Sequence, residues 1–300
     1  MNKLESDKKA EKRSLLFVHF SVLLFGVAGI FAKVIDLPAV IIVIGRVFFA
    51  SITLAILIKL QGSVKIAIQN KKNFKVLLLM GAILAFHWFT FFHSIQLSTV
   101  AIGLLTFATF PLFTVFLEPW LLREKFELKF MLLALIALFG IFLIVPEFNF
   151  QNAITRGALW GLLSGLSFSF LIILNRAYVS TIPAIKIAFY QDLFALIFLL
   201  PFLFFIDYSF HWQNVALLLL LGTVFTAFAH LLYIKSLDRL NARTVSIISS
   251  LEPVYGILIA WLLLSEVPDL KTILGGLIVL SCVMYLSMQR KASRRSNISK

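Results

Sequence analysis

The feature that most limits this chain is a succession of apolar runs, each close to the roughly 20 residues a helix needs to cross a hydrocarbon core. Ten can be read: 15–33, 38–58, 74–95, 99–121, 128–146, 157–177, 184–206, 213–235, 243–264 and 270–288. Between them stand turn-forming pairs such as Asp36 with Pro38, Gln61-Gly62, Ile182-Pro183 and Val267-Pro268. A bilayer core tolerates only elements whose backbone groups are satisfied internally. The predicted fold is therefore an all-α polytopic membrane protein with ten transmembrane helices. The gaps are too short to hold a soluble domain.

Composition agrees. Of 300 residues, 61% are hydrophobic and 14% charged, against about 25% charged in soluble chains. The net charge of +13 would suit nucleic acid only if it formed a basic face with readout residues. Here Lys and Arg sit in short clusters between apolar runs, so no nucleic-acid partner is expected. Cys282 is alone, which leaves no disulfide framework. The five His show no HExxH or comparable spacing. Phosphate loop, ATPase motif and nucleophile elbow are all missing from the sequence. The expectation is no metal, no cofactor, no enzyme activity and no ATP-driven pump.

The basic residues also orient the chain. With the N-terminus inside, cytoplasmic segments hold 23 of the 27 Lys and Arg; the outer segments hold Lys33, Arg156 and Lys271, and Arg46 lies within a helix. Both termini are thus expected to be cytoplasmic. Segments 1–14 and 289–300 read as basic tails.

Residues 240–266, LNARTVSIISSLEPVYGILIAWLLLSE, echo residues 98–124, STVAIGLLTFATFPLFTVFLEPWLLRE. An offset of 142 carries Pro253 to Pro111, Tyr255 to Phe113, Glu266 to Glu124 and Ser236 to Ser94. The echo indicates a duplication, with five-helix repeats at 15–146 and 157–288 and an external linker at 147–156. Since five is odd, the second copy must cross in the opposite sense. Such inverted repeats are the architecture of many secondary transporters, whose substrate sits near the midplane between the halves.

Charges inside a membrane segment are functional candidates because an isolated one costs about 3 kcal/mol on insertion scales. Arg46 in IGRVFFAS lies near the midplane of the second run. Setting Pro38 against Pro183 puts Gln191 of the seventh run opposite Arg46, with Asp192 the next residue. Arg46 and Asp192 read as a substrate-facing or gating charge pair with Asp192 the countercharge, as a static structural pair, or as an Arg46 that snorkels outward. Glu252, just before a helix-breaking Pro253, reads as a proton-coupling carboxylate, an amine-binding group, or a carboxylate satisfied by nearby helix ends. Glu118 lies near the inner end of its run and reads as structural. His87 and His230 are buried by depth and stand second in line. Gly157, Gly161 and Gly165, with Ser169, form a small-residue stripe read as helix packing. The aromatic cluster Phe86, Trp88, Phe89, Phe91 and Phe92 reads mainly as lipid contact and core, with some pocket-lining members open.

Ser249-Ser250-Leu251-Glu252-Pro253 followed by Leu262-Leu263-Leu264-Ser265-Glu266 resembles the signature of EamA-type permeases of the drug/metabolite transporter superfamily. The first copy departs from it, with Phe110-Pro111 in place of the Glu-Pro pair. The resemblance implies inner-membrane placement and transport without ATP, often export, of amino acids, other metabolites, nucleotide-linked sugars or drugs. The reading is a secondary transporter of a small metabolite such as an amino acid, exporting rather than importing it, monomeric or homodimeric. It would work by alternating access around a midplane cavity, with protons as a candidate coupling ion. The alternative is a passive channel or facilitator for small solutes.

Overall fold

A computed structural model describes residues 3–298 except 63–66, 69, 123–127, 146–148, 210 and 241. Every regular element among these residues is helical. In chain order they are α1 (Lys3–Ala28), α2 (Phe31–Val34), α3 (Ala39–Gln61), α4 (Lys71–Leu97), α5 (Val100–Phe107), α6 (Phe110–Leu122) and α7 (Leu128–Ile144). After these come α8 (Ala153–Tyr178), α9 (Ala184–Leu199), α10 (Trp212–Gly222), α11 (Ala229–Ser236), α12 (Ala242–Ser249), α13 (Glu252–Leu264) and α14 (Leu270–Ile298).

Local chemistry explains the boundaries. Pro38 and Pro183 sit at the N-caps of α3 and α9, where their missing N–H costs nothing. The side chains of Asn70, Thr99 and Asn152 cap α4, α5 and α8 by accepting from Lys72 N, Ile102 N and Ile154 N. Gly62 closes α3 at a left-handed φ of 64°. Helix α1 begins at Lys3, well before the apolar run, because the Lys-, Glu- and Ala-containing residues ahead of it are themselves good helix formers.

Seven helical segments are long and apolar enough to cross a bilayer: Ala10–Val34, Ala39–Gln61, Lys71–Leu97, Val100–Leu117, Ala153–Tyr178, Ala184–Phe204 and Trp212–Ser236. Three shorter apolar helices, Leu132–Ile144, Glu252–Leu264 and Leu270–Tyr285, follow the remaining predicted runs. The ninth predicted run is shortened because it is broken: α12 stops at Ser249, and Pro253 starts a new helix in its first turn.

The fourth run breaks in the same manner, at Ala108-Thr109 just before Phe110-Pro111. The two interruptions, 108–109 and 250–251, stand at the same offset of 142 that relates the two phrases in sequence. Val100–Leu117 is the most enclosed span, 83% buried, against 39% for Trp212–Ser236. The first broken helix therefore runs through the centre while Trp212–Ser236, the eighth predicted run, borders the outside.

Packing crosses between the halves. Helix α4 packs on α8 and α9, while α11 packs on α1 and α10 on α3; α3 also meets α9, and α7 meets α14. Two seams between the halves, α7 on α14 and α1 on α13, depend on glycine. A Cβ on Gly140 would lie 2.9 Å from the carbonyl of Gly275, and one on Gly26 would lie 2.9 Å from that of Glu252. Backbones approach this closely only where a side chain is missing.

Candidate functional site

Arg46 is 2% exposed, and the packing around it begins with glycine. Gly45 lets Leu218 of α10 close on α3, and Gly222 packs against the carbonyl of Arg46 and the Cβ of Phe49. Beyond Gly222 the helix widens into a π-turn, Thr223–Phe228. Such wide turns often mark functional positions. Here the Thr226 hydroxyl donates to Leu221 O at 2.7 Å, five residues back, and accepts from Arg46 Nε at 3.0 Å. The guanidinium carbon lies 3.9 Å from the ring centre of Trp88 and 5.0 Å from that of Phe92. Cation–π contact of this kind is stronger where water is excluded.

The expected Arg46–Asp192 pair does not form. Among the described residues the ion pairs are His230 Nδ1 with Asp192 Oδ1 at 3.7 Å, and Arg239 with Asp238. Helix phase decides this: α9 turns Asp192 toward α11, and Arg46 is already taken up by Thr226 and two aromatic faces. Asp192 is fully buried. Gln191 beside it donates from Nε2 to Asn175 Oδ1 at 2.6 Å. Both carboxylate oxygens of Asp192, Gln191 Oε1 and His230 Nδ1 are buried without a hydrogen-bond partner.

His87 is tied down. Its Nδ1 stands 2.9 Å from the Ser164 hydroxyl and 3.1 Å from the Ser164 carbonyl, joining α4 to α8, with Phe168 and Phe107 against the ring. Glu252 is buried in the first turn of α13. Helix α1 rests on the α13 backbone there through Gly26 and Gly256.

Arg46, His87 and Trp88 from the first half and His230, Tyr233 and Glu252 from the second line one cavity, which Phe25, Phe91, Phe107 and Phe168 complete. It has room of about 40 Å³ for water centres, enough for a few waters at roughly 10–15 Å³ each. A cation and a carboxylate facing one aromatic-walled space can receive the two ends of a small solute carrying both charges. Asp192 does not line this cavity; it lies behind His230.

Gly157, Gly161 and Gly165 face elsewhere, along α8 against the α4–α5 corner. A Cβ on Gly161 would collide with Thr106, one on Gly157 with Ser98, and one on Gly165 would stand 2.8 Å from Phe107 O. Ser94 donates to Gly157 O at 2.6 Å on the same seam. The Glu118 side chain and Glu124 lie outside the described residues, and no three His, Cys, Asp or Glu gather as a ligand set within them.

Thr226 and Tyr233 enter the site without having been singled out by sequence, and Trp88 with Phe91 are the members of the aromatic cluster that line the cavity. Tyr233 follows His230 by three residues, a spacing that puts both on one helix face. Trp88 was submerged in an aromatic run. Nothing in the residues 223–228 announces a π-turn.

The profile of the EamA-like transporter family matches this chain twice, at residues 12–145 and 155–288. An uncharacterized transporter, YxxF, of Bacillus subtilis is 24% identical over 291 residues, covering 95% of this chain and 93% of that protein. An S-adenosylmethionine uptake transporter of Rickettsia felis is 24% identical over 260 residues, covering 85% of each. A crystal structure with 16% sequence identity superposes at a TM-score of 0.67, covering 94% of this chain and 98% of the other. That likeness bears on the fold alone.

Proposed function

This chain belongs to the EamA-like transporter family, and on that premise we propose that it carries a small metabolite bearing both a carboxylate and a compact cationic group, without ATP. It is a multi-pass membrane transporter, not an enzyme. The observation that carries the substrate class is the pairing of Arg46 and Glu252, one from each half, on a single aromatic-walled cavity. Arg46, held by Thr226, offers its remaining N–H groups to a carboxylate. Glu252 and the surrounding rings suit an ammonium or sulfonium. S-adenosylmethionine, named for the Rickettsia relatives, has an amino-acid head and a sulfonium, so its chemistry fits this pattern.

The working cycle is alternating access. The roughly 40 Å³ cavity is far below the 300 Å³ or more of a typical ligand pocket, so a metabolite enters only when helices part. Ten spans in two inverted repeats, 15–146 and 157–288, supply the moving halves. The shared helix breaks and the reciprocal packing of α4 on α8 and α11 on α1 support that reading. The distribution of Lys and Arg supports cytoplasmic termini and residence in the cell membrane. Export is the direction the family resemblance implies, whereas the Rickettsia relatives are named for uptake.

The test is counterflow in liposomes with the purified chain, using labelled amino acids and S-adenosylmethionine loaded on one side at a time. Saturable exchange lost in Glu252→Gln and Arg46→Gln is expected, and the sided loading gives the direction. No exchange with any zwitterionic solute would overturn the substrate class. Equilibration that never saturates and ignores both substitutions would make the protein a facilitator.

A further inference from the structure

Asp192 is the buried charge for which the substrate cavity has no use. It is fully buried, stands outside the cavity lining, and accepts no hydrogen bond at either oxygen. Two further polar atoms lie without a partner at this spot: Gln191 Oε1 on the adjoining residue, an acceptor, and His230 Nδ1 at 3.7 Å, an N–H in one tautomer and an acceptor in the other. A carboxylate with no donor in a low-dielectric interior is costly in its ionised form. A protonated carboxyl is neutral, and its O–H can satisfy one of those acceptors.

The neighbours allow this. Helix α9 packs against α3, α4, α11 and the short 3-10 helix Leu200–Phe204. From α11 comes His230. From α3 comes Arg46, the other charged group close enough to act on Asp192, although its Nε is committed to Thr226. His87 of α4 is turned to Ser164, His93 stacks on Phe89, and Lys71, Lys72 and Lys75 stand exposed at the start of that helix. Lys235 of α11 lies over the Phe17 ring, and Tyr233 lines the cavity. The Leu200–Phe204 turn has no titratable side chain.

His230 is the cavity-lining residue that comes up against Asp192. Its ring lines the cavity, and its Nδ1 faces Asp192. We propose that Asp192 and His230 form a proton-binding site set behind the substrate cavity, with His230 as the passage between the two. A proton from cavity water adds to the free ring nitrogen of His230. The opposite N–H then leaves Nδ1 for Asp192 Oδ1, so the carboxylate becomes a carboxyl and the imidazole returns to neutral in its other tautomer. The use of this site to couple transport rests on the transporter reading above; the site itself does not.

The experiment needs no solute, because the proton is the ligand. The full chain in liposomes is taken from acid to alkaline pH under infrared difference spectroscopy, which reads buried carboxyl groups by their C=O stretch. The expected result is a titrating carboxyl band that is lost in Asp192→Asn, retained in Glu252→Gln, and displaced in its midpoint by His230→Gln. An unchanged band in Asp192→Asn, or a midpoint indifferent to His230→Gln, would overturn the site. Should Asp192→Asn fail to fold, Asp192→Glu keeps a titrating carboxyl whose band must still move when His230→Gln is added. Absence of counterflow in the solute assay would remove the transport reading and leave the infrared result standing. Counterflow together with an indifferent band would do the reverse.

Discussion

Arg46 Nε donates to the Thr226 hydroxyl across 3.0 Å, and that hydroxyl in turn donates to Leu221 O. One side chain thus joins α3 to the π-turn between α10 and α11. The extra residue in that turn gives the Thr226 hydroxyl an acceptor five residues back while its lone pairs remain open to Arg46. Both groups are buried, so neither has water to fall back on.

Thr226→Val keeps the shape and removes the hydroxyl. The stranded N–H and carbonyl are expected to cost about 1–3 kcal/mol, read as a lower melting temperature in detergent. Thr226→Ser retains the hydroxyl and is expected to stay near wild type. Equal stability of Thr226→Val and wild type would show that the link carries no weight.

Arg46→Lys is expected to behave as a loss rather than a conservative change. Lys lacks the planar group that lies over Trp88 and the Nε that meets Thr226. With the stacking alone worth about 0.5–2 kcal/mol, counterflow should fall several-fold or more, mostly as weaker apparent affinity. Trp88→Leu should weaken exchange in the same direction while leaving helix content intact.

The Gly161 seam yields a test by pairs. Gly161→Ala places a methyl against Thr106, and overpacking of this sort costs about 1–3 kcal/mol. Thr106→Ala removes the hydroxyl that the new methyl meets first, so the double substitution should recover part of the loss, a non-additivity visible in a thermal double-mutant cycle. Strict additivity would mean that α8 and α5 do not approach as described.

Much of this was legible in the residues. The apolar runs dictated helices, and the phrase around Glu252-Pro253 carried the family resemblance that the profile match bears out. Pro253 marked one helix break, and the offset of 142 that carries it to Pro111 is also the offset between the two breaks. What stayed hidden depends on helix phase and on tertiary demand. Asp192 stands one residue past the place that matches Arg46, on helices that do pack together, and its direction about the α9 axis sends it to His230 instead. The π-turn has no proline in it; it is where Arg46 finds an acceptor, which no window of local sequence contains. Trp88 stands among Phe side chains that would read the same facing lipid or a cavity.

At the start of α14, Asp269 is exposed and outside the apolar span. Hydrogen bonds from the Thr272 hydroxyl and from its backbone N–H, the latter at 2.8 Å, hold its carboxyl below the ordinary aspartate value. A depressed folded value means that the contribution to stability is present above the unfolded value, about 3.9, and is lost as pH falls through the folded one. Wild type should therefore lose more stability on acidification below about pH 4 than Asp269→Asn does. Melting curves at neutral and acid pH compare them, and parallel acid limbs would remove Asp269 from the account.

The last prediction concerns a cap that one half of the molecule supplies to the other. Glu266 Oε2 accepts from Val100 N at 3.0 Å, so a carboxylate at the end of α13 sits at the N-terminus of the enclosed helix α5, where the dipole favours negative charge. Ser265 makes the approach possible by turning the chain through a left-handed φ of 56°, the one non-glycine positive φ among the described residues. Glu266→Ala should cost about 1 kcal/mol, as loss of an N-cap does; Glu266→Gln keeps the acceptor and should lose only the charge component, a few tenths to about 1 kcal/mol. Ser265→Gly should stabilise by up to about 1 kcal/mol, because glycine adopts this conformation without the Cβ penalty. Since Val100 and Glu266 belong to different copies, Glu266→Ala should also loosen the seam between the halves, read as faster amide exchange at Val100–Gly103. Unchanged exchange there, with stability lowered, would reduce the contact to a local cap.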